Sequence, residues 1–186
     1  MNKHRYHSLS ISLHWLIAMG LVFMFVSGLY MVNAEIPKAE QYKLFQIHKA
    51  SGVVMLWAIL LRLLVRIFTQ KPPLPNVISK EEAKRAKLGH VLLYTGLAIM
   101  PLSGWVMVSA SPFGLPTLVF VDWLNWPHIP GIQRNKLVEG IANNIHMYTA
   151  ILLSCLIVGH IAAVYWHKRT HNINLVKRMW WFNNDN

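Results

Sequence analysis

Four long apolar segments constrain this chain more than any other feature of its sequence. A helix needs roughly 20 apolar residues to cross the hydrocarbon core of a bilayer. The segments at 11–32, 44–68, 88–110 and 145–166 reach this length, and only the second contains charged residues, which lie near its ends. The sequence therefore predicts an all-α fold, an integral membrane four-helix bundle, with residues 1–186 forming a single membrane domain.

The composition excludes several other classes of protein. Hydrophobic residues make up 54% of the chain and charged residues 13%, whereas a soluble domain is about 25% charged. Disorder is excluded by this apolar content. A disulfide scaffold is excluded because Cys155 is the only cysteine, and we expect it to be a small buried side chain. The formal charge of the chain is +11. Proteins that bind nucleic acid carry such basic charge on a polar surface, whereas this chain is mostly apolar, so we expect no nucleic-acid partner.

The basic residues predict the orientation in the membrane. They concentrate at both termini and in the connection between the second and third segments, at Lys3, Arg5, Lys71, Lys80, Lys84, Arg85, Lys87, Lys168, Arg169, Lys177 and Arg178. Basic residues favour the cytoplasmic side, so we expect both termini there, beside the lipid headgroups. The segment 11–32 is longer than the apolar part of a signal peptide, and we expect it to be a retained helix.

The loop at 111–144 joins the last two segments on the opposite side. It contains Phe120, Trp123 and Trp126. Large aromatic side chains favour the membrane interface, so we expect this loop to lie on the membrane as a lid. Internal repeats are not evident in the sequence.

Five histidines fall within or at the edges of the apolar segments, at His14, His48, His90, His146 and His160. Ionisable residues inside a bilayer are costly and indicate function. His146 and His160 lie 14 residues apart, which brings them to one face of a helix, about 21 Å apart along its axis. This spacing suits two cofactors stacked across the membrane.

The same spacing recurs in the other segments, as His14 with Gly28, His48 with Arg62 and His90 with Gly104. A glycine lets a planar macrocycle approach the backbone, and an arginine can bind a haem propionate. The predicted depths pair His48 with His146 on the outer side. They pair His160 with either His14 or His90 on the inner side, and depth does not choose between these two.

The histidines suit haem better than other metal groups. Structural zinc sites favour closely spaced or cysteine-rich ligands, and covalent c-type haem needs a C-x-x-C-H motif. Two imidazoles facing each other across a bundle suit non-covalent haem b. The sequence thus predicts two b-type haems with bis-histidine ligation. The alternative is that these histidines are hydrogen-bonded residues of the core.

Short motifs extend this interpretation to a family. The segments 12–16, 47–52, 88–94 and 172–179 read SLHWL, IHKASG, LGHVLLY and NINLVKRM. Together with the pair His146 and His160, they resemble the bacterial cytochrome b561 family, which is similar to the cytochrome b subunits of nickel–iron hydrogenases. The resemblance implies a four-helix dihaem protein of the bacterial inner membrane.

The resemblance also implies the ligands. It assigns His14 and His160 to the inner haem and His48 and His146 to the outer one. It leaves His90 to serve a haem propionate or a quinone rather than an iron.

An iron with two histidine ligands has no open position, which favours electron transfer. We expect electrons to pass between an outer-face donor, with superoxide as a candidate, and the membrane quinone pool, with ubiquinone as the partner. An activity of this kind would be that of a superoxide- or quinone-linked oxidoreductase. The alternatives are a membrane anchor and electron relay for a partner dehydrogenase or hydrogenase, and a haem-free metal or proton transporter.

Basic side chains near the predicted outer site are candidates for attracting the donor. They are Lys43, Lys49, Arg134 and Lys136. A positive potential raises the local concentration of a small anion. Contact with lipid headgroups is the other role open to them.

Overall fold

A computed structural model describes residues 5–118 and 124–181 and contains four long helices. They are α1 (Ser8–Asn33), α2 (Lys38–Phe68), α3 (Lys80–Ala110) and α4 (Lys136–Thr170). The all-α fold with four helices able to span a membrane is confirmed. Each helix extends beyond its apolar segment. The start of α3 shows why, because a capping box of Ser79 and Glu82 begins this helix at Lys80, eight residues before the apolar segment.

The outward faces of the four helices are apolar. Val22, Leu29, Ile67 and Val158 are all more than three-fifths exposed, and Phe68 is 81% exposed. Apolar surface on this scale is not stable in water, but it matches a hydrocarbon solvent. The chain is therefore a multi-pass membrane protein.

Side chains from all four helices meet halfway along the bundle. The buried cluster consists of Ile17, Met55, Ile59, Leu97 and Leu153. Two glycines allow the helices to approach here, since Gly20 lies against the Met55 sulfur and Gly96 against the Leu153 methyl groups. The middle of the bundle is thus an apolar layer that excludes water.

The first and last residues that the structure describes lie at the same end of the bundle, which we call the terminal end. A short 3-10 helix at Leu175–Met179 follows α4. The Trp15 indole donates to the Met179 carbonyl at 2.7 Å, and Arg178 donates to the carbonyls of Pro72 and Pro73. The C-terminal segment therefore closes this end by contacting α1 and the connection between α2 and α3.

The opposite end, which we call the loop end, carries the connection at 111–135. Two short antiparallel strands, β1 (Thr117–Leu118) and β2 (Asn125–Trp126), form its hairpin. Trp126 contacts the rings of Trp57 on α2 and Trp105 on α3, and the Trp105 indole donates to the Pro127 carbonyl at 2.7 Å. The Trp126 part of the loop is thus packed on the helices, whereas Phe120 and Trp123 lie outside the described residues.

The expectation for Cys155 was wrong, because its side chain is exposed. Cys155 follows His146 by nine residues, and nine steps of about 100° place it on the opposite face of α4. The buried residues of α4 between the two histidines are instead Thr149 and Leu153.

The close approach of α3 and α4 gives a test of the packing. A Cβ atom at Gly96 would lie 2.7 Å from a Leu153 methyl carbon. We expect Gly96→Ala to destabilise the protein by about 1–3 kcal/mol through overpacking, measured as a lower midpoint of thermal unfolding in detergent. Gly140→Ala is the matched control, because a Cβ there meets nothing within 4 Å. Equal midpoints for the two variants would contradict this packing.

Candidate functional site

Polar side chains inside the bundle form two layers, one on each side of the apolar cluster. The loop-end layer consists of Ser27, His48, Ser103 and His146. The terminal-end layer consists of His14, Arg62, His90 and His160. All five histidines predicted to lie in the membrane, together with Arg62, therefore fall in one of these two layers.

His146 is anchored through one ring nitrogen. Its Nδ1 lies 3.0 Å from the Met100 carbonyl oxygen and 3.1 Å from Ser103 Oγ. A carbonyl oxygen only accepts, so Nδ1 carries the hydrogen and donates it. The lone pair of Nε2 is then available, and the orientation of the ring is set by Met100 and Ser103 of α3.

His48 is anchored in the same way from α1. The Ser27 hydroxyl donates to the Met24 carbonyl at 3.2 Å, and Ser27 Oγ lies 2.9 Å from His48 Nδ1. Because the hydroxyl hydrogen is directed to Met24, the oxygen accepts from His48 Nδ1–H. His48 therefore also keeps its Nε2 lone pair free for a metal.

Two glycines make room for these rings. A Cβ atom at Gly28 would lie 3.4 Å from His48 Cε1, and one at Gly104 would lie 3.3 Å from His146 Cε1. A larger side chain at either position would displace the imidazole. Each glycine therefore contacts a histidine of the next helix along the chain, and not the histidine 14 residues before it on its own helix.

Arg62 organises the terminal-end layer. It is buried, and its guanidinium donates to the Ser10 carbonyl at 2.8 Å and lies 3.2 Å from His14 Nδ1. Arginine only donates, so His14 Nδ1 accepts and the neutral ring carries its hydrogen on Nε2. A metal could bind His14 Nε2 only after Arg62 turns away from this ring.

The spacing of the rings in this layer suits a metal held between two imidazoles. The ring centroids of His14 and His160 are 6.5 Å apart, and those of His90 and His160 are 5.5 Å apart. Ring nitrogens lie about 2 Å from a coordinated metal, which places the centroids of two opposed rings about 6 Å apart. By the distance between ring centroids, either His14 or His90 could therefore bind a metal together with His160.

The structure reveals a repeat of contacts where the sequence showed none. His14, Gly20, Ser27 and Gly28 of α1 correspond to residues 76 positions later on α3, namely His90, Gly96, Ser103 and Gly104. His48, Met55 and Arg62 of α2 correspond to residues 98 positions later on α4, namely His146, Leu153 and His160. The two hairpins thus share spacing and contacts, although no internal repeat is evident in the sequence.

Sequence reasoning missed the two serines. A signal was present, since Ser27 and Ser103 each directly precede one of the two glycines. Serine in a membrane helix is common and often donates back to its own helix. Only the neighbouring helix shows that these hydroxyls hold a histidine.

Comparisons with known proteins agree with this architecture. Residues 5–182 match the family model described as prokaryotic cytochrome b561. The chain belongs to the prokaryotic cytochrome b561 family. It is 28% identical over 177 residues to cytochrome b561 homolog 2 of Escherichia coli (strain K12), which covers 94% of this chain and 90% of that protein. It is 23% identical over 179 residues to cytochrome b561 homolog 1 of the same organism, at 95% and 97% coverage.

Membership makes this protein a membrane cytochrome that transfers electrons, in a family that binds haem b. The residues of the two layers fit that cofactor. In the loop-end layer, the free Nε2 lone pairs of His48 and His146 suit an iron, and Gly28 and Gly104 leave room beside these rings. The buried Arg62 provides a partner for a carboxylate.

The two serines give an asymmetric test of the loop-end layer. Ser27 is the partner that the structure gives to His48 Nδ1, whereas His146 Nδ1 also donates to Met100. Losing the partner of a ligating histidine costs 10–100-fold in metal affinity. We expect Ser27→Ala to lower the affinity for haem within this range and Ser103→Ala to lower it by about threefold or less.

Haem titration of the purified apoproteins measures these affinities. Ser154→Ala is the control, because the exposed Ser154 hydroxyl donates to the Ala150 carbonyl of its own helix. An equal loss in Ser27→Ala and Ser103→Ala would show that the second bond of His146 does not anchor its ring.

Proposed function

We propose that this cytochrome holds two b-type haems and carries electrons between a donor at the loop end and the membrane quinone pool. The observation that carries the proposal is the shared anchoring of His48 and His146, whose Nδ1 atoms are both bonded within the bundle. Bound haem would supply one-electron transfer. The protein residues hold the rings, bind carboxylates and exclude water from the space between the layers.

The two layers and the family resemblance together support an assignment of ligands. His48 and His146 would hold the haem at the loop end, and His14 and His160 the haem at the terminal end. The choice of His14 over His90 rests on the family resemblance, and it requires Arg62 to leave His14 Nδ1. A haem propionate would draw the Arg62 guanidinium away from His14 and so free the ring for the iron.

The basic residues support an orientation in the bacterial inner membrane. Most of them lie at the terminal end, in the last turns of α2 and α4, in the first turns of α3 and on the segments that follow α2 and α4. We propose that this end faces the cytoplasm, since basic residues there oppose translocation. The loop end then faces the opposite compartment and meets the electron donor.

A groove at the terminal end supports a quinone partner. It has a volume of about 440 Å³ and is lined by Leu63, Arg66, Ile67, Thr69, Lys71 and Tyr94. Its wall combines apolar side chains with hydroxyl and cationic donors, and Arg66 lies 5.5 Å over the Tyr94 ring. Tyr94 is one turn after His90, so a quinone carbonyl bound here would lie beside the terminal-end layer.

The packing of the loop favours direct electron exchange over docking of a large partner. Trp126, which a docking protein would use as an anchor, is placed between the rings of Trp57 and Trp105. Lys49 donates to the Pro116 carbonyl at 3.1 Å. These contacts make the described part of the loop a cover for the bundle, which suits a small donor such as superoxide.

Counting haems in single variants tests the assignment. We expect two b-type haems per chain in the parent protein and in His90→Ala, and one in His14→Ala, His48→Ala, His146→Ala or His160→Ala. The reduced-minus-oxidised spectrum and the haem-to-protein ratio of each purified variant measure this. One haem in His90→Ala together with two in His14→Ala would show that His90, and not His14, is the partner of His160. A folded parent without haem would overturn the proposal.

Charge steering tests superoxide as the donor. We expect replacement of Lys43, Lys49, Arg134 and Lys136 by Gln to slow the second-order reduction of haem by superoxide about tenfold at low salt and to flatten its salt dependence. Stopped-flow absorbance measures the rate. Replacement of Lys80, Arg85, Lys87 and Lys168 is the control, because it removes the same charge from the terminal end. Equal rates in the two variants would exclude steering by the loop end.

A further inference from the structure

Three metal-binding side chains meet at the terminal end, away from the two layers. Glu82 lies in the first turn of α3, His167 in the last turn of α4 and His171 directly after α4. One ligand atom from each of the three lies within 4.8 Å of the other two.

The two histidines present their rings together. They are four residues apart, which places them on one face at the end of α4. Their rings are stacked, with centroids 5.4 Å apart and an interplanar angle of 27°. His171 Nε2 lies 2.8 Å from Glu82 Oε1, so the pair also meets the carboxylate.

The Glu82 carboxylate is held in place from the other side. The Ser79 backbone N–H donates to Glu82 Oε2 at 2.7 Å as part of the capping box, and this directs Oε1 to His171. The Glu82 side chain is only 13% exposed. It places a fixed and mostly buried negative charge at an end of the bundle where basic residues predominate.

His167 provides the observation that points to a ligand. Its Nδ1 atom is buried and has no hydrogen-bond partner in the described part of the chain. A buried ring nitrogen without a partner loses its hydration and gains nothing in return, and such atoms are few in native proteins. A cation bound between the three side chains would give this nitrogen a partner.

We propose that Glu82, His167 and His171 bind a divalent transition-metal ion such as Zn²⁺. Two imidazoles and one carboxylate form a donor set that zinc prefers, with one coordination position left open. Ligand atoms around a tetrahedral zinc lie about 3.4 Å apart, so side-chain rotations that move these atoms by about 1 Å close the site. The ion would join the start of α3 to the end of α4.

This site is separate from the terminal-end layer. His167 follows His160 by seven residues, about 10 Å along the axis of α4. An ion there would add to the contacts through which the C-terminal segment closes this end of the bundle. Its removal should leave both haem layers in place.

Metal analysis of the haem-loaded protein tests the proposal. The full chain, purified without a histidine tag and treated with a chelator, is incubated with a small excess of Zn²⁺ and desalted. Zinc and iron are then counted on the same sample, so that the haem iron confirms a folded protein. We expect one zinc per chain in the parent and at least tenfold weaker zinc binding in His171→Gln and in Glu82→Gln.

A matched control removes a histidine from the same end of the protein. His7→Gln should retain one zinc per chain, because His7 is exposed at the start of α1 and its ring accepts a hydrogen bond from the Leu9 backbone N–H. Zinc should also raise the midpoint of thermal unfolding of the parent and of His7→Gln, but not that of His171→Gln. Absence of bound zinc in the parent, or equal zinc in His171→Gln and the parent, would overturn the proposal. If Glu82→Gln does not fold, zinc binding by His167→Gln replaces it in the test, with the same weakening expected.

Discussion

A polar side chain inside a bilayer must find its partner within the bundle, and most of this structure follows from that constraint. Water is absent from the hydrocarbon core, so a ring nitrogen left without a partner is costly. The Nδ1 atoms of His48 and His146 meet the constraint through hydroxyl and carbonyl groups of α1 and α3. Their Nε2 atoms remain for a metal, so the bonds that make these histidines tolerable in the membrane also prepare them as ligands.

The two hairpins apply the same solution at the loop end and differ at the terminal end. Ser27 with His48 and Ser103 with His146 are equivalent contacts of α1 with α2 and of α3 with α4. At the other end, Arg62 occupies the position on α2 that His160 occupies on α4. A symmetric arrangement would place two histidines of α2 opposite two of α4. The arginine replaces one of them and makes the terminal-end layer cationic, which suits a cofactor that carries carboxylates.

The apolar layer separates the loop-end layer from the terminal-end layer, and its buried cluster consists of apolar side chains. Met55 and Leu153 fill the space that Gly20 and Gly96 leave open, so the four helices approach closely at mid-height. Dense packing there excludes water and keeps the dielectric low. An electron can cross such a layer while a hydrated ion cannot, which is the property that a membrane electron carrier needs.

Particular residues show how far prediction from the sequence reached. The number of helices, the membrane environment and the family were all predicted, since apolar length and histidine spacing are local properties of the chain. The serines, the placement of Trp126 between Trp57 and Trp105, and the exposure of Cys155 were not, because each depends on which helix lies next to which. His14 and His90 illustrate the limit, since they occupy equivalent positions on α1 and α3 and both reach His160.

The sequence by itself thus determined four membrane helices, because the free energy of transfer into lipid acts on each segment separately. It also indicated a cytochrome, because the histidine spacing and the short motifs are local properties of the chain. Only the tertiary structure decided which nitrogen of His48 and of His146 is bonded and which is free. That choice belongs to pairs of helices, since a ring nitrogen takes its partner from whichever backbone or hydroxyl group packing brings to it. The same holds for Glu82 and the pair of His167 and His171, since the carboxylate is far from the pair in the chain and meets it only because α3 begins where α4 ends.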